Sequence, residues 1–453
     1  MKKTAPLPPE TLESSFSDFK PALDATEANL EAQRCLNCYE APCIQACPTE
    51  INIPQFISRI YSGNILGAAK TILDSNSLGL SCAKSCPTEV LCEGSCVYHG
   101  LNSKPIAIGK LQQFAVERAY AEGANFYTAG APSGKQIALV GAGPASLACA
   151  HELRKKGHRT LIYEKEKIPG GLNTWGIAPY KMKAPVSLLE ISELSKIGIE
   201  FKFGQELGTD FSLKELVKKY DAVFLGIGLG PDRIPKGTHP RIQGAVDFIS
   251  KLKTRSTEEM AWVREVPTAI VIGGGNTALD ACRELRGIGI PKVILCYRRS
   301  EKEMSGYAHE LKAARQEGVE VLFNVFPMDY TAISERRVGV KFQGPEVSEY
   351  CLEGELVLTA IGQTRAEGFF AEFPELEFDK GCLKTDPLTG QTKHPKIFAA
   401  GDLANGGKEV VNAVAEGKRT ASAIHTFVSL TTKVKKSSSP EIPVSQPERD
   451  LNG

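Results

Sequence analysis

The sequence predicts an α/β protein in which two Rossmann-like units, each a parallel sheet wrapped by helices, follow a cysteine-rich helical segment. Three observations carry this expectation. An apolar strand, a glycine turn, an apolar helix and a second strand follow one another in KQIALVGAGPASLACAHELRKKGHRTLIYEKE. The same order returns in TAIVIGGGNTALDACRELRGIGIPKVILCYRRS, with the turns at Gly141 and Gly273 lying 132 residues apart. Eight of the 13 cysteines fall within the first 96 residues. Two strand–turn–helix–strand units at such a distance imply two dinucleotide-binding domains.

The length of 453 residues suits three units of roughly 150 each. Hydrophobic residues make up 42%, charged residues 24%, and the formal net charge is +1. That balance argues against a nucleic-acid or acidic-membrane partner, since both call for concentrated positive charge. No apolar run approaches the ~20 residues of a membrane span, and MKKTAPLPPE has no apolar stretch after its lysines, unlike a secretory signal. The expectation is a soluble, cytoplasmic chain. Its expected divisions are an N-terminal arm (1–24), an α-helical cysteine domain (25–130), a first dinucleotide domain (131–255 and 356–432), a second inserted into it (256–355), and a disordered tail (433–453).

The cysteines form two groups. Cys35, Cys38, Cys43 and Cys47 read C-x2-C-x4-C-x3-C-P, and Cys82, Cys86, Cys92 and Cys96 read C-x3-C-P-x4-C-x3-C. A disulfide framework belongs to oxidising compartments. Close-packed cysteine runs, often followed by proline, hold iron–sulfur clusters and commonly send one thiolate to a neighbouring cluster. Zinc is the alternative, but closed zinc sites usually pair C-x2-C knuckles, and only Cys35/Cys38 has that spacing. Eight cysteines suffice for two clusters, and spacing leaves the pairing open.

In the first dinucleotide unit, Gly141-Ala142-Gly143-Pro144-Ala145-Ser146 opens the helix whose N-terminus suits a pyrophosphate. Ser146 takes the place of the usual third small residue. Glu164 ends the next strand, where a carboxylate accepts from ribose hydroxyls. Gly170-Gly171-Leu172 points to a second close approach to a large cofactor. Further on, KIFAAGDLANGG delivers Gly401-Asp402 to a turn. In two-dinucleotide flavoproteins such a turn sets its aspartate on the flavin ribityl chain, although a helix N-terminal carboxylate would also account for Asp402.

The second unit repeats the fingerprint in Gly273-Gly274-Gly275-Asn276-Thr277-Ala278. Its following strand ends in Arg298-Arg299 rather than an acid, which suits the 2′-phosphate of NADP; a solvated strand end is the plainer alternative. ELVLTAIGQTR supplies a further strand, with Gly362 allowing close approach where the chain crosses back to the first domain. Neither unit has a C-x-x-C dithiol. Cys149, Cys282, Cys296, Cys351 and Cys382 stand alone and read as structural, so iron–sulfur clusters are the expected electron exit.

EAQRCLNCYEAPCIQACPTEINI, NSLGLSCAKSCPTEVLCEGSC and IGKLQQFAVE, together with the two fingerprints, resemble the N-terminal part of dihydropyrimidine dehydrogenase over about residues 25 to 430. The likeness is greatest to the small, flavin-bearing subunit of the bacterial two-subunit form. The small subunit of bacterial glutamate synthase shares the architecture. The resemblance implies FAD, two 4Fe-4S clusters and NADP(H) or NAD(H). It assigns Cys35, Cys38, Cys43 and Cys96 to one cluster, and Cys47, Cys86, Cys92 and Gln112 to the other, leaving Cys82 spare. It places flavin contacts at Ala142, Gly143, Pro144, Ala145, Ser146, Glu164, Lys165, Gly171, Leu172, Lys181, Leu207, Asp402 and Val410. Nicotinamide-nucleotide contacts fall at Gly274, Gly275, Asn276, Thr277, Arg298, Arg299, Ala360 and Gly362. Ser305 stands where relatives have another arginine.

The expected activity is electron input. NAD(P)H gives a hydride to FAD, and the clusters carry single electrons to a partner subunit bearing FMN, which reduces uracil or thymine. Positioning and electrostatics are the protein's contribution, and no side-chain general acid is needed. The alternatives are electron delivery to a glutamate-forming partner and a non-catalytic nucleotide-binding scaffold. If Gln112 ligates the second cluster, Gln112→Leu loses that cluster's spectroscopic signal and about half of the roughly eight irons expected of two clusters. Unchanged iron and signal would return the fourth ligand to Cys82.

Overall fold

The computed structural model describes residues 8, 10–235, 239–344, 348–365 and 367–437. Its N-terminal unit is helical. Asp24 caps the helix Ala25–Gln33 through a reciprocal pair with Glu27. Asn52 and Asn64 cap Ile53–Tyr61 and Ile65–Ser75, and the left-handed Gly63 breaks the chain between them. Phe56, Ile60, Ile72, Leu111 and Val116 from these helices and from Ile108–Ala121 form one core.

Two five-stranded parallel sheets follow. In the first, the order is Ile397–Ala399, Ala222–Leu225, Gln136–Val140, Arg159–Glu164, Glu200–Phe203. The pleat sends alternate residues to opposite faces. Ile137 and Leu139 pack beneath the helix Pro144–Lys155, while Ala138 and Val140 face a second core with Leu213 and Phe370. The C-terminal helix Val410–Ser437 lies against Pro144–Lys155. Their crossing is close enough that a Cβ at Gly417 would stand 2.2 Å from the Ala145 carbonyl oxygen.

The second sheet runs Ile242–Gly244, Leu356–Ala360, Thr268–Gly273, Lys292–Tyr297, Glu320–Phe323. It is therefore wider than the expected 256–355, because it takes one strand from each side of that span. The flanking strands complete a sheet whose central strand is apolar on both faces, as a doubly covered parallel sheet requires. One of those faces carries an antiparallel sheet, Phe326–Ser334, Arg337–Gln343 and Glu349–Gly354, which the strand–helix pattern did not predict. Its Val338, Val340 and Phe342 pack on Ile270, Ile272 and Ile294.

The ends of the chain differ from expectation. Residues 10–20, part of the expected N-terminal arm, are a packed strap. Leu12 is buried in the second unit's core, Phe16 seats against Gly287, and the Phe19 amide donates to the Tyr180 carbonyl at 2.9 Å. Proline and serine broke the helical pattern there without removing the apolar anchors. Residues 433–437, expected in the tail, continue the C-terminal helix; the rest of the tail and residues 1–7 and 9 lie outside the described residues. Among the described residues no helix is long and apolar enough to cross a membrane.

The helical and first dinucleotide units meet through Glu190. Its buried carboxylate accepts from the amides of Leu80 (2.6 Å) and Ser81 (2.9 Å) and from the Ser81 hydroxyl (2.5 Å), closing the N-terminus of the helix Gly79–Ser85. Burial raises its pKa to about 7, against those hydrogen bonds. If the strap is integral to the second unit, Leu12→Ala destabilises that unit by about 2–5 kcal/mol. A lower denaturant midpoint of its unfolding transition would show this, and an unchanged midpoint would mean that residues 10–20 do not support the second unit.

Candidate functional site

The first glycine turn has the geometry a close ligand approach needs. Gly141 adopts φ +86°, and a Cβ there would lie 2.6 Å from the Gly226 carbonyl oxygen. Gly143 caps the helix that begins at Pro144, whose first-turn amides have no intrahelical partner. Gly171, at φ +53°, comes within 3.1 Å of the Gly143 Cα when a Cβ is placed on it. Gly170 donates to the Ala142 carbonyl at 2.9 Å, which ties the two turns together. Glu164 is buried and accepts from the Ala142 amide (2.6 Å) and the Glu166 amide (2.8 Å). Burial raises its pKa, and these two donors oppose the rise. Ser146 faces inward, buried against Gly226, and its hydroxyl has no hydrogen-bond partner.

These turns line a cavity of about 830 Å³. Ala142, Gly143, Pro144, Ala145 and Glu164 form one wall, with Lys165, Gly171, Leu172, Lys181 and Leu207 beside them. Gly401, Asp402 and Val410 close it from the C-terminal side. Gly401 is held by the Glu416 carboxylate at 2.8 Å, and burial raises the Asp402 pKa. Asn276, which opens the second unit's helix Asn276–Ile288, reaches the same cavity, as do Cys86 and Pro87 of the helical unit. Ser146, Gly274, Gly275, Thr277, Arg298, Arg299, Ala360 and Gly362 lie outside its walls.

The second turn is covered by its own loop. Gly306 donates to the Gly274 carbonyl at 2.9 Å, and Tyr307 donates from its amide to Asn276 Oδ1 at 3.0 Å. A Cβ at Gly274 would stand 2.3 Å from the Tyr297 ring. Arg298 and Arg299 follow that ring as exposed side chains. Ala360 ends the strand registered beside Gly273, and Gly362 follows in a left-handed conformation.

The cysteines also segregate in space. Cys35, Cys38, Cys43 and Cys96 line one small cavity together. Burial, then neighbouring thiols, raises the Cys43 pKa to about 11. The neighbouring Cys82 thiol, then burial, then Cys92 and Cys47 push the Cys86 pKa up. Gln112 is buried on the adjacent helix, with its Nε2 donating to the Gly79 carbonyl at 2.6 Å. Among the described residues no three His, Cys, Asp or Glu side chains converge as a single-ion site would require. Two groups of crowded thiols that oppose one another's ionisation fit a cationic iron–sulfur core, whose charge favours thiolate. The glycine-lined cavity with its helix N-terminus and raised carboxyls likewise fits a dinucleotide.

Sequence reasoning missed an ionic bridge across this cavity. The Lys181 ammonium lies 2.7 Å from Asp280 and 2.8 Å from Glu310, both on the second unit. Burial alone would lower its pKa, but the two carboxylates outweigh it and raise the value. Tyr180 donates to Asp280 at 2.7 Å, and Arg283 pairs with Glu310 at 2.5 Å. Tyr307 adds a second bridge, donating to the Glu409 carboxylate at 2.7 Å. Asp280 sits four residues past Asn276, one turn along the same face, and that spacing was the available signal.

Comparison with known proteins adds the following. Residues 12–124 match the family described as dihydropyrimidine dehydrogenase domain II, 4Fe-4S cluster, and residues 135–417 match the pyridine nucleotide-disulphide oxidoreductases. The NAD-dependent dihydropyrimidine dehydrogenase subunit PreT of Escherichia coli K12 is 34% identical, over 91% of this chain and 97% of that one. The glutamate synthase (NADPH) small chain of the same organism is 32% identical, over 89% and 92%. In fold, the chain is similar to Mycobacterium tuberculosis FprA in complex with NADPH, with a TM-score of 0.53 at 19% identity over 68% of this chain and 87% of that one.

Removing the ammonium from the Lys181 bridge leaves Asp280 without its cationic partner, while Glu310 keeps Arg283. Lys181→Met is expected to cost about 3–5 kcal/mol in unfolding free energy, with Lys181→Arg retaining most of it. Denaturant unfolding of the three proteins checks this, and equal stability of all three would remove the bridge as a support.

Proposed function

The chain belongs to the pyridine nucleotide-disulphide oxidoreductases, with a dihydropyrimidine dehydrogenase-type 4Fe-4S domain ahead of that unit, and from that premise we propose that it is the electron-input subunit of a two-component dihydropyrimidine dehydrogenase. It is an oxidoreductase that uses FAD, iron–sulfur and a nicotinamide nucleotide. When bound, these groups turn a two-electron hydride donor into a source of single electrons. The acceptor in this reading is a separate FMN-bearing subunit that reduces uracil or thymine.

The observation that supports the reading is the single cavity running from Asn276, past the Gly141–Gly143 turn, to Cys86. It puts Asn276 at the start of the second unit's helix, the first glycine turn and Cys86 along one path, with no dithiol between them. In this assignment the Ala142–Ser146 turn supplies amides to a pyrophosphate. Glu164, which accepts one amide on each oxygen, keeps lone pairs to accept from a ribose hydroxyl, and Asp402 serves the ribityl chain. Lys165, Gly171, Leu172, Lys181, Leu207 and Val410 complete the flavin contacts. Asn276 and Thr277 orient the nicotinamide nucleotide beside Gly274, Gly275, Ala360 and Gly362. Arg298 and Arg299 lie at the strand end where a 2′-phosphate is read, so NADPH is the preferred donor. Cys35, Cys38, Cys43 and Cys96 hold one cluster; Cys47, Cys86 and Cys92, with Gln112, hold the other.

A second reading, delivery of electrons to a glutamate-forming partner, is favoured by the 32% identity to the glutamate synthase small chain. Anaerobic purification with whatever co-purifies separates the two. The expected result is oxidation of NADPH, and more slowly of NADH, that depends on uracil or thymine. Oxidation that depends instead on 2-oxoglutarate plus glutamine would overturn the pyrimidine assignment. Failure of the FAD-loaded chain to reduce even an artificial acceptor would overturn electron input itself.

A further inference from the structure

The strap at residues 10–20 ends on a cation. Phe19 is fixed to the segment before Lys181 by its amide and by an edge-on contact with the Tyr180 ring. The next residue, Lys20, extends along the cavity wall to the helical unit. Its ammonium lies 3.3 Å from the Cys86 carbonyl oxygen and 3.5 Å from the Thr88 hydroxyl. Its side chain is 16% exposed. Cys86 is the cysteine that reaches the large cavity.

The other charges near this cysteine group are matched differently. Lys84, on the helix that ends at Cys86, is buried and met by Asp18 at 2.5 Å and Glu117 at 4.0 Å. Glu93, next to Cys92, accepts from the Gly109 amide at 2.9 Å. Glu89 lies 3.9 Å from the Lys20 ammonium and 3.8 Å from His309, and is half-exposed. Lys20 therefore brings a positive charge onto the peptide of a cluster cysteine, facing the half-exposed Glu89 at 3.9 Å and acting at longer range on Glu93. A thiolate-ligated cluster becomes more negative when it accepts an electron, and its potential responds to nearby charge and hydrogen bonds. A cation held in a half-buried place stabilises the reduced form, since screening is weak there.

We propose that Lys20 is a positioning and tuning residue that raises the reduction potential of the cluster held by the Cys86 group, making it the acceptor for electrons leaving the flavin cavity. The proposal rests on the cluster assignment above. In the step it governs, the reduced flavin loses one electron and the oxidised cluster gains one, and NAD(P)H has supplied both electrons of the flavin. No bond to Lys20 forms or breaks. The strap thereby makes the nucleotide units responsible for the redox poise of a centre in another unit.

The test is a potentiometric titration, followed by electron paramagnetic resonance, of the anaerobically purified holoprotein. Lys20→Met is expected to lower the midpoint of one cluster by about tenfold in the flavin–cluster electron distribution, which is about 59 mV for one electron. Glu89→Gln moves the same signal upward, by less because Glu89 is solvated, and Lys20→Arg stays near the wild type. Iron and FAD contents, and the midpoint of the other cluster, stay constant. An unchanged midpoint in iron-replete Lys20→Met would overturn the proposal, as would equal lowering by Lys20→Arg and Lys20→Met, which marks a packing role only. A wild-type chain that takes up no iron under the same conditions would overturn the cluster assignment instead.

Discussion

An ammonium caught between two carboxylates sets how the two dinucleotide units face each other. Lys181 belongs to the first unit, Asp280 and Glu310 to the second, and all three line one cavity. A buried ion group of this kind adds little net stability over well-packed apolar residues, but it is costly to break and therefore specific. The cost of separating the charges favours one relative placement of the units. The Tyr307–Glu409 hydrogen bond repeats the constraint from the other side of the cavity. Transfer between two bound cofactors depends on distance and orientation, so the geometry of that shared space follows from these two bridges.

The helical unit is seated by different means. Glu190 enters it from the first dinucleotide unit and closes the N-terminus of the helix that ends at Cys86. The strap enters from the second and touches the same helix end through Asp18 and Lys20. One short helix thus receives a carboxylate at its start and charged side chains near its end, each from another unit. A shift in either neighbour is felt at a cysteine.

Much of this molecule is local and was legible. A glycine turn that needs φ +86° and lets a carbonyl approach within contact distance can be recognised from a few consecutive residues. So can cysteines at the spacing of a cluster run. The extent of the second unit was not legible, because Ile242–Gly244 and Leu356–Ala360 join its sheet across more than 100 residues of chain. The antiparallel sheet was missed because its outer strand Phe326–Ser334 is largely exposed and lacks a clean apolar alternation. Leu12 and Phe16 were hidden among prolines and serines that suggest disorder when read alone.

The sequence by itself determined the class of chemistry: two strand–glycine–helix turns for dinucleotides and two cysteine groups for iron–sulfur, since each of these patterns is local, the longer cysteine group spanning 15 residues. Tertiary structure alone decided that Asn276, the Gly141–Gly143 turn and Cys86 share one cavity. It also decided that Lys181 meets Asp280 and Glu310, and that Lys20 meets Cys86. The physical reason is that local motifs encode what each site binds through backbone conformation and ligand spacing. Which sites face one another is set by ion pairs and apolar contacts between residues tens to hundreds of positions apart, and no local pattern records those pairings.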